Sequence, residues 1–371
     1  MATDTDKNEE GLESMDTDSP DAITDDQTIE TPYIAMDTSS TIDEENGSNG
    51  VPVTQQLVLL VAIIFLLLGG SLSPRIIAFF KDTANITPAA PVQAETPQLN
   101  LETKEETPTI KPFSTVQIKG EAAYVWDVQA QRALYKKSSS ESLPLASVTK
   151  LMTALVAHEI LTENSDIHIG AQAIRQDGDS GLLSGETFNR QTLSDLVLMS
   201  SSNDGAYAMA VAAGGVLEAD DPADAFVHAM NIRAEELALH DTYFKNPTGL
   251  DISQTEGGGY GSARDISFLM EYIILHQPDI LTFTQEDSAR VYSRDGIYHD
   301  AVNTNYYIDE IPGLIGSKTG YTDLAGGNLV VAFDAGLNRP IIVAVLGSTR
   351  HERFTDVITL VEEAQKYVVQ N

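Results

Sequence analysis

Residues 113–371 predict a mixed α/β (α+β) domain in which a sheet packs against a helical region. Three features point there: strand patterns at both ends of the segment, helical periodicity between them, and an amphipathic stretch that closes it. In chain order, AAYVWDVQAQRALYKK (122–137) has β-formers on either side of a polar turn and predicts a hairpin, with Tyr124 and Trp126 in its core. ASVTKLMTALVAHEIL (146–161) repeats apolar residues at helical spacing. LSDLVLMSSSNDGAYAMAVAAGG (193–215) predicts a helix, a polar break at Ser200–Asp204, and a second helix of small residues. GNLVVAFDAG (327–336) and RPIIVAVLGS (339–348) predict adjacent strands joined near Leu337–Asn338, and FTDVITLVEEAQKYVV (354–369) predicts the closing helix.

The chain before this segment has another character. Residues 1–50 hold 15 acids and a single lysine with little to bury, and predict a disordered acidic tail. Residues 57–73, LVLLVAIIFLLLGGSLS, are apolar without a charge, and flanking residues extend them to a transmembrane anchor over 51–80. A signal peptide is the rival reading, but it wants a short basic start, whereas the residues that come first here are acidic or polar. Residues 81–112 are proline-rich and predict a semi-extended linker, with a reach of at most on the order of 95 Å. Arg75 and Lys81 follow the span, so the positive-inside rule by itself would hold that side in the cytoplasm.

Composition narrows the function. The formal net charge of −33 argues against nucleic acid or an anionic membrane surface as partner. The absence of cysteine excludes disulfides, a thiol nucleophile, a lipoprotein anchor and thiolate metal sites.

Lys150 stands inside an otherwise apolar run, three residues after Ser147. A buried ammonium costs several kcal/mol unless it is paired or loses its proton, so either this lysine is solvated or the chemistry requires it. At helical spacing Lys150 reaches the Ser147 hydroxyl, and a desolvated lysine is a competent base for a serine nucleophile. Ser-x-x-Lys alone does not decide the matter. Further along, Ser201-Ser202-Asn203 displays a hydroxyl and an amide at the break between helices, where an N-cap is the plain alternative. Lys318-Thr319-Gly320 precedes a strand; a cation and a hydroxyl there can hold a substrate carboxylate, and glycine lets a ligand backbone approach the strand edge.

The order of these triplets, with PLASVTKLMTAL, SGLLSGETFNRQTLSDLVLMSSSNDGAYAMA, FKNPTGLD and SARDISFLM, resembles the serine D-Ala-D-Ala carboxypeptidases among the low-molecular-mass penicillin-binding proteins. The resemblance covers residues 113–371. It implies a β-lactamase/transpeptidase-like α/β/α fold, an antiparallel sheet flanked by helices. It implies Ser147 as the acylated nucleophile, Lys150 as its general base, and Ser201 as the proton relay to the leaving amine. Asn203 would hold the peptide bond, Lys318, Thr319 and Gly320 the carboxylate end, and the backbone N–H groups of Ser147 and Tyr321 the oxyanion. Neither cofactor nor metal is implied. The implied partners are peptidoglycan stem peptides ending in D-Ala-D-Ala, with β-lactams as inhibitors. A D,D-endopeptidase uses the same motifs, and a slowly turning over penicillin-binding receptor or scaffold is a further reading. The domain would then be extracytoplasmic on a single-pass cell-membrane anchor, which overrides the charge bias of Arg75 and Lys81. The acidic tail would be cytoplasmic and free to dock a partner there.

Two departures are visible. Many members carry a further β-domain and a C-terminal anchor, whereas here the anchor is expected at the N-terminus. Nothing resembles E-x-x-L-N between Asn203 and Lys318, which leaves the deacylation base unassigned and argues against efficient β-lactam hydrolysis. Other signals are weaker. His158-Glu159 and His351-Glu352 do not extend to H-E-x-x-H, DGDSG (177–181) reads as a polar turn rather than a calcium loop, and EGGGYG (256–261) reads as a mobile loop bordering the site.

Overall fold

The computed structural model describes residues 111–371 apart from 179, 218 and 219. The expected tail, the span at 51–80 and nearly all of the linker lie outside the described residues. Among the described residues no helix is long and apolar enough to cross a membrane.

Five strands form the central sheet: β1 Ala122–Asp127, β2 Arg132–Lys137, β3 Leu314–Thr322, β4 Gly326–Asp334 and β5 Pro340–Ser348. Their spatial order is β3-β4-β5-β1-β2, antiparallel throughout. The expected hairpin is β1–β2, and the expected adjacent strands are β4 and β5. Their joint carries φ of 60° at Leu337 and 57° at Asn338, the left-handed pair that suits a tight turn between right-twisted strands.

Alternation along the strands makes two cores. Tyr124, Trp126, Val330, Ala332, Ile342, Ala344 and Leu346 enter one; Ala123, Val125, Leu329, Val331, Phe333, Ile341, Val343 and Val345 enter the other. A sheet buried on both faces needs a cover on each. On one side this is α6, Glu352–Gln370, which lays Phe354, Val357, Leu360, Val361 and Ala364 on β4 and β5 at helical spacing. On the other side α5, Ala263–His276, packs on β1, β4 and β5. Beside it lie α1 Lys150–Ile160, α2 Arg190–Ser200, α3 Asn203–Val216 and α4 Pro222–Glu236, packed on one another, with α1 also against α5. The Trp126 indole N–H is not left unpaired in its core; it donates to Glu271 Oε2 at 3.0 Å.

Two elements differ from expectation. The helix expected over 146–161 begins with a 3₁₀ turn, Ala146–Thr149, and is α-helical only from Lys150. The segment EGGGYG is not a mobile loop. Gly259–Gly261 is a short strand paired with Leu143–Pro144 on one side and Tyr243–Phe244 on the other. Gly259 is buried because its neighbour is Thr149, whose Oγ1 would lie 2.7 Å from an added Cβ. Three residues carry too little periodicity to announce a strand.

Asp356 knots the layers together. Its carboxylate accepts the backbone N–H groups of Lys119 and Gly120, each at 2.9 Å, and the Ser348 hydroxyl at 2.6 Å, so the entry to β1, the end of β5 and α6 meet on one buried charge. Asp356→Ala leaves those donors without an acceptor and is expected to cost about 3 kcal/mol, measurable by urea denaturation.

Candidate active site

The nucleophile candidate is placed by the 3₁₀ turn. In such a turn residues i and i+3 eclipse, so Lys150 stands over Ser147 more directly than in an α-helix. Lys150 is fully buried, which answers the question its sequence context raises. Its Nζ lies 2.8 Å from Ser147 Oγ, 2.6 Å from Asn203 Oδ1 and 2.7 Å from the Thr248 carbonyl. Two of these partners only accept. As an ammonium Lys150 donates to all three; as a neutral amine it has two hydrogens for Asn203 and Thr248 and turns its lone pair to the Ser147 hydroxyl. Electrostatics favour the neutral state: burial, and then the Lys318 charge, hold Lys150 well below the ordinary lysine range.

Across the cleft stands a second hydroxyl–lysine pair. Lys318 on β3 is 1 % exposed and donates to Ser201 Oγ at 2.9 Å and to the Thr319 carbonyl at 3.0 Å. Burial, and then the nearby Arg353 guanidinium, push it down to about 7. Arg353, at the start of α6, donates to the Gly320 carbonyl at 2.6 Å. It is held at about 10 by burial and by Arg350. Lys318, Arg353 and Arg350 thus lie together near the end of β3 in a chain of strongly negative charge.

Ser201 takes its position from the helix break. α2 ends on Ser201 in the left-handed region (φ 63°), and Ser202 then caps α3 by accepting the Gly205 N–H at 2.9 Å. The N-cap reading holds at Ser202, and it does not compete with the functional reading of Ser201 and Asn203, because they are adjacent residues. Asp177 and Ser180 clasp the break: Asn203 Nδ2 donates to the Asp177 carbonyl at 2.6 Å, while Ser202 donates to Ser180 Oγ and Ser180 to Asp204 Oδ2, each at 2.8 Å. That grip turns the Asn203 carbonyl oxygen toward Lys150.

Gly320 acquires a second reason beside the one read from the sequence. A Cβ there would lie 2.7 Å from the Leu145 carbonyl and 3.1 Å from Ser147 N, so the glycine admits the turn that carries Ser147. Two cavities meet at Ser201. One, of about 230 Å³, runs between Ser147, Thr319, Tyr321 and Arg353; the other, of about 560 Å³, lies between Ser180 and the segment Tyr298–Val302. Among the described residues no group of three acidic, histidine or cysteine side chains is arranged to hold a metal.

All eight predicted positions, Ser147, Lys150, Ser201, Asn203, Lys318, Thr319, Gly320 and Tyr321, thus fall around one cleft. Sequence reasoning missed Thr248, Arg353 and Thr304, which lines the smaller cavity.

A serine governed by a buried lysine rather than a histidine is the arrangement of the active-serine, penicillin-recognising enzymes. The chain belongs to the family of D-alanyl-D-alanine carboxypeptidases, whose sequence model matches residues 105–350. It is 34 % identical over 240 residues to D-alanyl-D-alanine carboxypeptidase DacF of Bacillus subtilis, covering 63 % of this chain and 59 % of that protein. It is 28 % identical over 273 residues to a D-alanyl-D-alanine endopeptidase of Escherichia coli, covering 71 % and 82 % respectively. Penicillin-binding protein D2 of Listeria monocytogenes, solved in its ampicillin-bound form, superimposes with a TM-score of 0.55 at 26 % identity, over 67 % of this chain and 98 % of that one.

Gly320→Ala is expected to displace the Ser147 turn and slow acylation of Ser147 by a fluorescent penicillin at least about tenfold, with little change in melting temperature.

Proposed function

We propose that the chain is a serine-type D-Ala-D-Ala carboxypeptidase that removes the terminal D-Ala from peptidoglycan stem peptides. The observation that carries this reading is the contact of 2.8 Å between the buried Lys150 Nζ and Ser147 Oγ: burial, and then the Lys318 charge, lower the amine's hold on its own proton, so that it can serve as base for the serine. Ser147 Oγ attacks the carbonyl carbon of the penultimate D-Ala as its proton passes to Lys150. The oxyanion falls to the N–H groups of Ser147 and Tyr321. In support, the first N–H groups of a helical turn lack internal acceptors, and β3 is the edge of the sheet. Collapse breaks the C–N bond; Ser201, held by Lys318, relays to the departing amine the proton that Lys150 took from Ser147, and Lys150 is neutral again. In hydrolysis Lys150 takes a proton from the attacking water and returns it to Ser147 Oγ as the ester C–O bond breaks. Asn203 holds the substrate peptide bond. The leaving group's carboxylate sits against Thr319, Lys318 and Arg353. The acyl part then leaves on the other side of Ser201, through the larger cavity. β-Lactams follow the first half of this path as inhibitors.

The apolar span at 51–80 supports a single-pass anchor in the cell membrane. The cell-wall substrate then sets the catalytic domain outside and the acidic tail inside the cytoplasm, where it is available to a partner.

The full-length chain is expected to release D-Ala from a muropeptide pentapeptide, and Ser147→Ala to abolish release. Cleavage of a crosslinked muropeptide dimer without D-Ala release would favour the endopeptidase reading, to which the Escherichia coli relative lends weight. The kcat/KM profile is expected to be bell-shaped. It rises as Lys150 loses its proton and falls as pH passes about 7, where Lys318 of the free enzyme loses the charge that attracts the carboxylate. Lys318→Arg stays charged and should carry the alkaline limb up by about one unit or more; an unmoved limb would remove Lys318 from carboxylate binding.

A further inference from the structure

Thr304 is part of no motif discussed above, yet it stands at the joint of the site. Its Oγ1 lies 2.6 Å from Thr319 Oγ1 and 3.4 Å from the Met199 carbonyl, and its backbone N–H donates to that same carbonyl at 3.1 Å. It therefore ties the Lys-Thr-Gly strand to the last turn of the helix that ends on Ser201. The residues on either side are clamped. Asn303 is 5 % exposed and its amide donates to the Thr284 and Glu286 carbonyls; Asn305 is 1 % exposed and its amide donates to Ser317 Oγ. Ser317 N–H in turn donates to Thr284 Oγ1. With both neighbours fixed, the Thr304 hydroxyl is held where it is by the fold rather than by its own side-chain preference.

The short contact between two hydroxyls has a direction. Each hydroxyl has one proton, so only one of the pair donates to the other. If Thr319 donates to Thr304, the Thr304 proton goes to Met199, and Thr319 has none left for a ligand. If Thr304 donates to Thr319, the Thr319 proton points into the cleft, toward an acceptor. A carboxylate in the cleft selects the second arrangement, and the chain Thr304 to Thr319 to carboxylate polarises along its length.

We propose that Thr304 is a positioning residue that turns the Thr319 hydroxyl into a donor for the substrate's terminal carboxylate. It thereby helps the enzyme choose a free C-terminal carboxylate over an uncharged end. This rests on the proposed reading of the cleft as a carboxylate site.

The test compares wild type, Thr304→Val and Thr304→Ser in the full-length chain. Two pairs of acyl donors serve: a peptide ending in D-Ala-D-Ala against the same peptide with its C-terminus amidated, and benzylpenicillin against its methyl ester. Thr304→Val is expected to lose about tenfold in kcat/KM and acylation rate on the acids while the amide and ester change little, mainly through KM; Thr304→Ser should restore the preference. Equal losses on both members of each pair, or no loss on the acids, would overturn the proposal. So would failure of Thr304→Ser to restore discrimination. If wild type is acylated by penicillin but releases no D-Ala, the carboxypeptidase reading fails, and Thr304 is still judged on the penicillin pair. A wild type that is acylated by neither donor overturns both. Melting temperatures of the variants separate this from a packing defect, since Val fills the same volume.

Discussion

A lysine side chain with no exposed surface is the constraint around which the rest of the site is arranged. Burying an ammonium in a helix whose other residues are core would destabilise the domain, and the fold answers in two ways. It supplies Asn203 Oδ1 and the Thr248 carbonyl as acceptors, and burial, with the Lys318 charge added to it, lowers the amine's hold on its proton. A neutral amine is cheaper to bury than a charged one, and it has the lone pair that the proposed base needs. Stability and the proposed reaction therefore ask for the same protonation state.

Burial is the first cause of the lowered basicity of Arg353, Lys318 and Lys150, and a neighbouring cation adds to it in each case: Arg350 beside Arg353, Arg353 beside Lys318, and Lys318 beside Lys150. In the proposed reaction a substrate carboxylate beside Lys318 favours the charged form of that lysine, which is already in contact with Ser201.

The sequence shows some of this and hides the rest for physical reasons. The hairpin, the β4–β5 pair and the closing helix are legible because each is long enough to express its periodicity. Ser147, Lys150, Ser201, Asn203, Lys318 and Thr319 are legible because each pair of roles sits within a few residues. Arg353 is not: it looks like an ordinary helix-start arginine, and only the packing of α6 beside the end of β3 brings it to Gly320. Thr304 and Thr248 act through a hydroxyl contact and a backbone carbonyl, which no residue type advertises. Asp177 belongs to a stretch legible as polar, but the hold of its carbonyl on Asn203 is a tertiary fact. Gly320 shows the same limit in another form, since a second reason for it, the close approach of Leu145 and Ser147, comes from far back in the chain.

The topology explains why distant segments have to meet. β1, near the start of the domain, pairs with β5, near its end, from Ala122 opposite Leu346 to Asp127 opposite Ile341. The nucleophile turn lies beyond β1–β2, whereas Lys318 lies on β3 and Arg353 follows β5. The cations therefore reach Ser147 only when the last hairpin has docked on the first and α6 has closed the outer face. Until then Lys150 lacks the Lys318 charge that adds to the effect of its own burial. The environment the proposed nucleophile needs is therefore a property of the closed sheet and not of the Ser-x-x-Lys turn alone.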